Sequence, residues 1–244
     1  MAEGGGQRLQ GRIALITGAS RGLGAALAKR FAGEGAQIVL TARTQGALEE
    51  LDDVIRAACG QKAILLPLDL RDFGKIDQLG AALHERFGRL DVLVGNAAIL
   101  GTLSPMGHFD PKTWDEVMAL NVTANWRLIR SLDPLLRRSK AGRAIFVTCS
   151  AARDFTPYWG AYAASKAALE TMVRIYAGEI AKTRMTANLI DPGILRTALR
   201  AKGFPGENRA GLAAPETVTE AFVALAEAHS VENGQITTCC PTGE

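Results

Sequence analysis

Short apolar runs punctuate the chain at residues 13–16, 38–40, 63–66, 92–94, 144–147 and 187–190, with a weaker one near Ile236. These runs are unbroken rather than alternating, which suits strands buried on both faces of a parallel sheet. Longer amphipathic stretches lie between them, such as residues 23–32 and 47–58, and read as helices. Strand and helix in alternation predict an α/β fold: a Rossmann-type, doubly wound parallel β-sheet of about seven strands, with helices on both faces and right-handed crossovers. Residues 1–10 are Gly-rich without an apolar core and read as a flexible N-terminal tail, leaving 11–244 as a single domain. Residues 196–214 hold Gly203, Pro205, Gly206 and Gly211, show weak periodicity and follow a strand end. A mobile lid over a ligand, spanning about 194–214, is expected there.

The bulk numbers narrow the classes. With 244 residues, 48% hydrophobic and 22% charged, the chain reads as an ordinary soluble globular protein. A net charge of +3 argues against a nucleic-acid partner. No apolar run approaches a membrane span, and the first residues do not form a secretory signal. Cys59, Cys149, Cys239 and Cys240 match no metal-site spacing, so no metal is expected and the cysteines read as reduced thiols of a cytoplasmic protein. His84, His108 and His229 are scattered, and Trp114, Trp126 and Trp159 read as core or interface residues.

Two segments carry candidate chemistry. The first apolar run leads into Thr17, Gly18, Ala19, Ser20, Arg21, Gly22, Leu23 and Gly24. Glycines at a strand-to-helix turn let the backbone approach a pyrophosphate, which the helix N-terminus then receives. The spacing is G-x-x-x-G-x-G. A carboxylate at the end of the second strand would bind the ribose hydroxyls of NAD; the chain has Thr41, Ala42 and Arg43 there. Arg43, with Arg21 in the glycine loop, favours the 2′-phosphate of NADP(H) over NAD(H). Asp69 with Leu70 follows the third strand, placed for adenine, and Asn96 with Ala97 follows the fourth, placed near the adenosine ribose.

The second segment is Tyr162, Ala163, Ala164, Ser165 and Lys166. Tyr162 and Lys166 stand four residues apart and share a helix face. A free phenol titrates near 10. An adjacent cation favours phenolate and would bring Tyr162 toward useful acid–base chemistry with an alcohol or carbonyl.

Taken together, the glycine segment, Asn96-Ala97, Asn121, Tyr162/Lys166 and Pro192-Gly193 resemble the classical short-chain dehydrogenase/reductase family, in order and spacing, over nearly the whole chain. The resemblance implies that Tyr162 is the general acid/base and that Lys166 holds the nicotinamide ribose and lowers the phenol pKa. It implies that Asn121 anchors a relay water, that Thr197 bonds the carboxamide, and that residues 190–194 line the nicotinamide. It also implies a homodimer or homotetramer packed through residues 113–136 and 162–181. The activity implied is hydride transfer between NADPH and a carbonyl or secondary alcohol, with a 3-oxoacyl reductase as a sibling reading. The Trp159-Gly160-Ala161-Tyr162 context is similar to that of uncharacterised bacterial reductases of the family.

Two positions depart from the pattern. The family's substrate-polarising serine falls thirteen residues before the tyrosine, and that position is Cys149, with Ser150 next. Either a shifted loop lets Ser150 supply the hydroxyl, the reading favoured here, or Cys149 takes the role as a weaker donor. Ala98 replaces a glycine and would be strained if its turn needs a positive φ. These departures leave a second reading open, that of a catalytically weakened NADP-binding scaffold or regulator. The substrate is expected to be a medium-sized apolar ketone, with Arg153, Arg196 and Arg200 available to an anionic tail.

Overall fold

The first strand, β1 (Ile13–Thr17), is buried at every residue. It lies between β2 (Gln37–Ala42) and β4 (Val92–Gly95) in a computed structural model that describes residues 7–239. Adding β3 (Ile64–Pro67), β5 (Arg143–Val147), β6 (Thr186–Asp191) and β7 (Ile236–Thr238) gives a seven-stranded sheet of order β3-β2-β1-β4-β5-β6-β7, parallel at every pairing. The Rossmann-type fold expected from the pattern is therefore observed. Several strands run past their apolar cores into polar ends, such as Thr186 and Asp191 of β6, because the ladder continues beyond the residues that bury apolar surface.

Helices cover both faces. On one side pack α1 (Gly22–Gly33), α2 (Gln45–Cys59) and α9 (Thr219–Ala226), through Leu27, Phe31, Leu48, Ile55 and Phe222. On the other pack α3 (Phe73–Phe87), α5 (Ala124–Arg138) and α7 (Gly160–Ile180), through Ile76, Leu83, Leu128, Leu132, Leu169 and Val173. Gly60 and Gly88, with φ of 73° and 71°, end α2 and α3 in the left-handed conformation that releases the chain toward the next strand. Strand order reverses between β1 and β4, opening a crevice at the carboxyl ends of the strands.

Two expectations change. Residues 7–10 do not belong to a loose tail. Leu9 is fully buried, its N–H donates to the Glu34 carbonyl at 2.9 Å, and Arg8 pairs with Glu220 and Glu227. One apolar residue with a covering ion pair holds the segment, a signal too short to register as a hydrophobic run. The rest of the expected tail, residues 1–6, and Cys240 lie outside the described residues. The segment expected as an irregular lid contains α8 (Ala198–Gly203), a 3-10 turn (Arg209–Gly211) and a bridge between Leu195 and Ala213. At six residues, α8 is too short to show periodicity.

Candidate active site

The glycine turn after β1 is shaped by backbone approach. Gly18 and Gly22 have φ of +64° and +57°, which side chains disfavour. A Cβ on Gly24 would lie 2.3 Å from the Gly18 carbonyl oxygen, so the start of α1 can sit against the turn only without one. Arg21 is the N-cap of α1 and provides no side-chain hydrogen bond, leaving the first-turn N–H groups without that partner.

Asn96, expected near a ribose, borders the cavity described below, and its Nδ2 donates to the Thr17 and Gly18 carbonyls at 2.8 and 3.3 Å. It ties the glycine turn to β4. Thr17, which the sequence reading passed over, does the same work from the other strand. Its hydroxyl donates to the Val94 carbonyl at 3.2 Å and accepts from the Asn96 and Ala97 N–H groups at 2.9 and 3.0 Å. A buried threonine at the strand end was the available signal.

A cavity of about 810 Å³ occupies the crevice. Gly18, Ser20, Arg21, Gly22 and Leu23 line one end with Arg43, Asp69, Leu70, Asn96 and Ala97. Thr41 is buried there, and its hydroxyl has no hydrogen-bond partner. Asp69 accepts from Arg71, at 2.8 Å from Nη2 and 2.9 Å from the backbone N–H, and this holds its carboxyl below the usual range. The open glycine turn, the α1 N-terminus and the orphaned Thr41 hydroxyl beside two arginines fit a dinucleotide whose phosphates meet the turn. Ala98 is not among the positive-φ residues, so its side chain brings no backbone strain.

Further along the cavity stand Tyr162 and Lys166, both buried on α7. The Lys166 ammonium donates to the Val147 carbonyl at 2.8 Å and lies 5.6 Å from the centre of the Tyr162 ring. The expected lowering of the phenol is overturned. Burial pushes the Tyr162 pKa well above its ordinary value, with Cys149 and Asp191 adding to the rise. Burial also lowers Lys166, against the pull of Cys149, Asp191 and Glu170 toward its charged form. Desolvation of two neighbouring groups outweighs what proximity alone suggested.

The loop after β5 presents Cys149 and Ser150 differently. Cys149 packs against Tyr162, and burial keeps its thiol above its ordinary pKa. Ser150, favoured on sequence, is exposed at the N-cap of α6 (Ala151–Asp154) and also borders the cavity. Adjacent residues entering a helical turn project in different directions, and only Cys149 meets the tyrosine.

Asn121 is fully buried in a π-helical turn (Ala119–Thr123) between α4 (Pro111–Met118) and α5. Its side chain exchanges hydrogen bonds with the Ile99 backbone at 2.9 and 3.0 Å and donates to Ser165 Oγ at 3.0 Å. A π-turn widens the helix locally, a form found at functional sites. Pro192, Gly193 and Thr197 border the cavity. Gly193 has φ +71° and donates its N–H to Asp191 Oδ1 at 3.1 Å, while Thr197 Oγ1 accepts from Arg200 N–H at 3.2 Å and caps α8.

The remaining wall is apolar. Leu100 and Tyr162 pack with Leu103, Cys149, Trp159 and Leu199. Trp159, read from the sequence as core or interface, is a cavity residue, tilted against Tyr162 at 5.9 Å and Phe204 at 5.8 Å. Two of the three candidate arginines are already engaged. Arg153 binds Glu170 and Asp191, and Arg200 binds Glu207 at 2.7 Å and stacks on Phe204. Exposed Phe155 and Tyr158, at φ of 51° and 74°, hold strained backbone in the loop between α6 and α7. No group of three or more metal-ligating side chains occurs among the described residues, and none of their helices is long and apolar enough to cross a membrane.

The family of short chain dehydrogenases matches residues 12–208. The uncharacterised oxidoreductase YciK of Escherichia coli K12 is 36% identical over 219 residues, 89% of this chain and 86% of that protein. A short chain dehydrogenase from Salmonella enterica serovar Typhi superposes with a TM-score of 0.94 at 33% identity, covering 98% of this chain and 100% of that one. Another, from Escherichia coli CFT073 and complexed with NADPH, gives 0.92 at 34%, covering 97% and 100%. This chain belongs to the short-chain dehydrogenase family of nicotinamide-dependent oxidoreductases.

Proposed function

We propose that the protein is an NADP(H)-dependent carbonyl reductase or alcohol dehydrogenase in which Tyr162 moves the proton. The observation that carries this reading is the buried Tyr162, packed against Cys149 in the same cavity as the glycine turn, with Lys166 one helical turn away. When bound, the nicotinamide supplies the hydride. Tyr162, neutral through burial, holds the proton that a reduced carbonyl oxygen takes up. Cys149 stands beside it and offers S–H as a second, weaker donor to that oxygen. Lys166 presents a buried cation between Tyr162 and the Val147 carbonyl, able to shift toward a ribose hydroxyl. Arg21 and Arg43, which make no ion pair among the described residues, support NADP(H) over NAD(H).

The apolar wall of Leu100, Leu103, Trp159, Leu199 and Phe204 supports an apolar ketone or aldehyde as substrate. Exposed Trp126 on α5 and Ile175 on α7 support association into a homodimer or homotetramer through those helices. The exposed Cys59 thiol suits a reducing compartment such as the cytoplasm.

One observation favours a second reading: the raised Tyr162 pKa suits a weakened enzyme that binds NADP(H) as a scaffold or regulator. Titration with NADPH and NADH, followed by a panel of apolar ketones and aldehydes, separates the two. Tight NADPH binding with turnover, abolished in Tyr162→Phe while NADPH binding persists, is the result expected. Turnover that survives in Tyr162→Phe would overturn the mechanism, and tight binding without turnover would favour the scaffold.

A further inference from the structure

Arg153 lies outside the cavity wall, yet it touches three of the elements that build the site. Its own backbone sits in α6, where its N–H donates to the Ser150 carbonyl at 2.7 Å, and the Ala152 N–H donates to the Cys149 carbonyl. One guanidinium nitrogen donates to Glu170 on α7, one helical turn beyond Lys166. Another donates to Asp191 Oδ2 at 2.7 Å, at the end of β6. Both carboxylates are nearly buried, with side-chain exposures of 10% and 3%. Each also holds a second partner. Glu170 accepts from the Thr148 hydroxyl at 2.7 Å, just before Cys149, and Asp191 accepts from the Gly193 N–H at 3.1 Å, in the turn that borders the cavity.

We propose that Arg153 is a positioning residue: it fixes the loop carrying Cys149 against the catalytic helix and against the Asp191–Gly193 turn, so that the thiol, the phenol and the turn keep one mutual geometry. The proposal rests on the reductase reading for its kinetic consequence, but not for its structural one. Three separate elements converge on one planar, multidentate cation, a task suited to arginine rather than lysine. Without the guanidinium, two nearly buried carboxylates lose the cation they share, and the elements they anchor lose their common tie. The charged and titratable groups facing Arg153 are Glu170 and Asp191, with Lys166, Cys149 and Tyr162 behind them and Asp154 next to it on α6.

The test compares Arg153→Met, Arg153→Lys and Asp191→Asn with the parent protein in two readouts. Steady-state carbonyl reduction is expected to lose about tenfold in kcat in Arg153→Met, with the KM for NADPH within about twofold, as a loss of alignment requires. Alkylation of Cys149 by iodoacetamide, read at that residue by peptide mass spectrometry, is expected to rise about tenfold as the loop loosens. Arg153→Lys should recover part of both, since it keeps the charge but not the fork. Should Arg153→Met fail to fold, Arg153→Lys and Asp191→Asn carry the same two measurements. Variants that fold with parental kcat and parental Cys149 reactivity, even with a lowered Tm, would overturn the proposal and leave Arg153 a purely structural residue. If the parent protein turns over no carbonyl, the reductase reading fails, while the alkylation rates still decide the role of Arg153.

Discussion

The Tyr162 phenol and the Cys149 thiol pack against each other inside the cavity. A thiol is a weaker hydrogen-bond donor than a hydroxyl. On the proposed mechanism the pair polarises a substrate carbonyl less than a tyrosine–serine pair does. Cys149→Ser should raise kcat for carbonyl reduction about tenfold, corresponding to about 1.4 kcal/mol of barrier, with little change in the KM for NADPH. Steady-state kinetics on the best ketone checks this. An unchanged kcat would mean that the thiol does not contact the reacting oxygen.

With Tyr162 moving the proton as proposed, its burial sets the pH dependence. In the unfolded chain Tyr162 titrates near 10, and folding raises that value by burial and by the Cys149 contact. Reduction needs the protonated form, so its kcat/KM should stay flat from about pH 6 to 9 and fall only above the ordinary phenol range. Oxidation needs phenolate, so its kcat/KM should climb across the same range without a plateau. The same shift ties stability to pH: the neutral phenol's contribution is fully present below about 10 and is lost as pH rises through the folded value. Kinetic profiles in both directions check the prediction, and a reduction limb centred near 7 would contradict it.

Arg21 and Arg43 make no ion pair among the described residues, and both border the cavity beside the orphaned Thr41 hydroxyl. If both meet the 2′-phosphate, Arg43→Ala should cut the preference for NADPH over NADH about tenfold, and the double Ala variant about a hundredfold. Fluorescence titration with each nucleotide gives the ratio. Equal losses for both nucleotides would mean that the arginines read the pyrophosphate instead.

Gly24→Ala places a Cβ 2.3 Å from the Gly18 carbonyl oxygen and 2.7 Å from Asn96 Nδ2. The helix must move off the turn, at a cost of about 1–3 kcal/mol, and the KM for NADPH should rise more than tenfold as the cradle deforms. Gly46→Ala is the control: its added Cβ meets nothing within 4 Å, so Tm should hold or rise with helix propensity. Thermal melts and NADPH titrations of the two variants, run together, test the contrast.

Much of this is legible in the sequence alone. The strand runs, the glycine turn, the Tyr162–Lys166 face and the arginine after β2 are local patterns, each set by the conformational needs of neighbouring residues or by burial on both faces of a strand. The site's finer chemistry was not. Ser150 and Cys149 are adjacent, and no local rule says which one meets a tyrosine thirteen residues from Cys149. Lys166 promised a lowered phenol, yet the depth at which α7 sits made burial the larger influence. Asn96 and Thr17 also tie the glycine turn to β4 through their side chains. Their roles emerge only where β1 and β4 lie side by side.

The sequence by itself determined the sheet, the order of its elements and the crevice where chemistry would gather, because periodicity and turn chemistry are properties of short segments. The tertiary structure alone decided that Arg153 bridges Glu170 and Asp191, that Leu9 joins the core and that Cys149 takes the place beside the phenol. Those facts depend on distances between segments far apart in the chain, and on the low dielectric that packing creates around charges, neither of which a local pattern encodes.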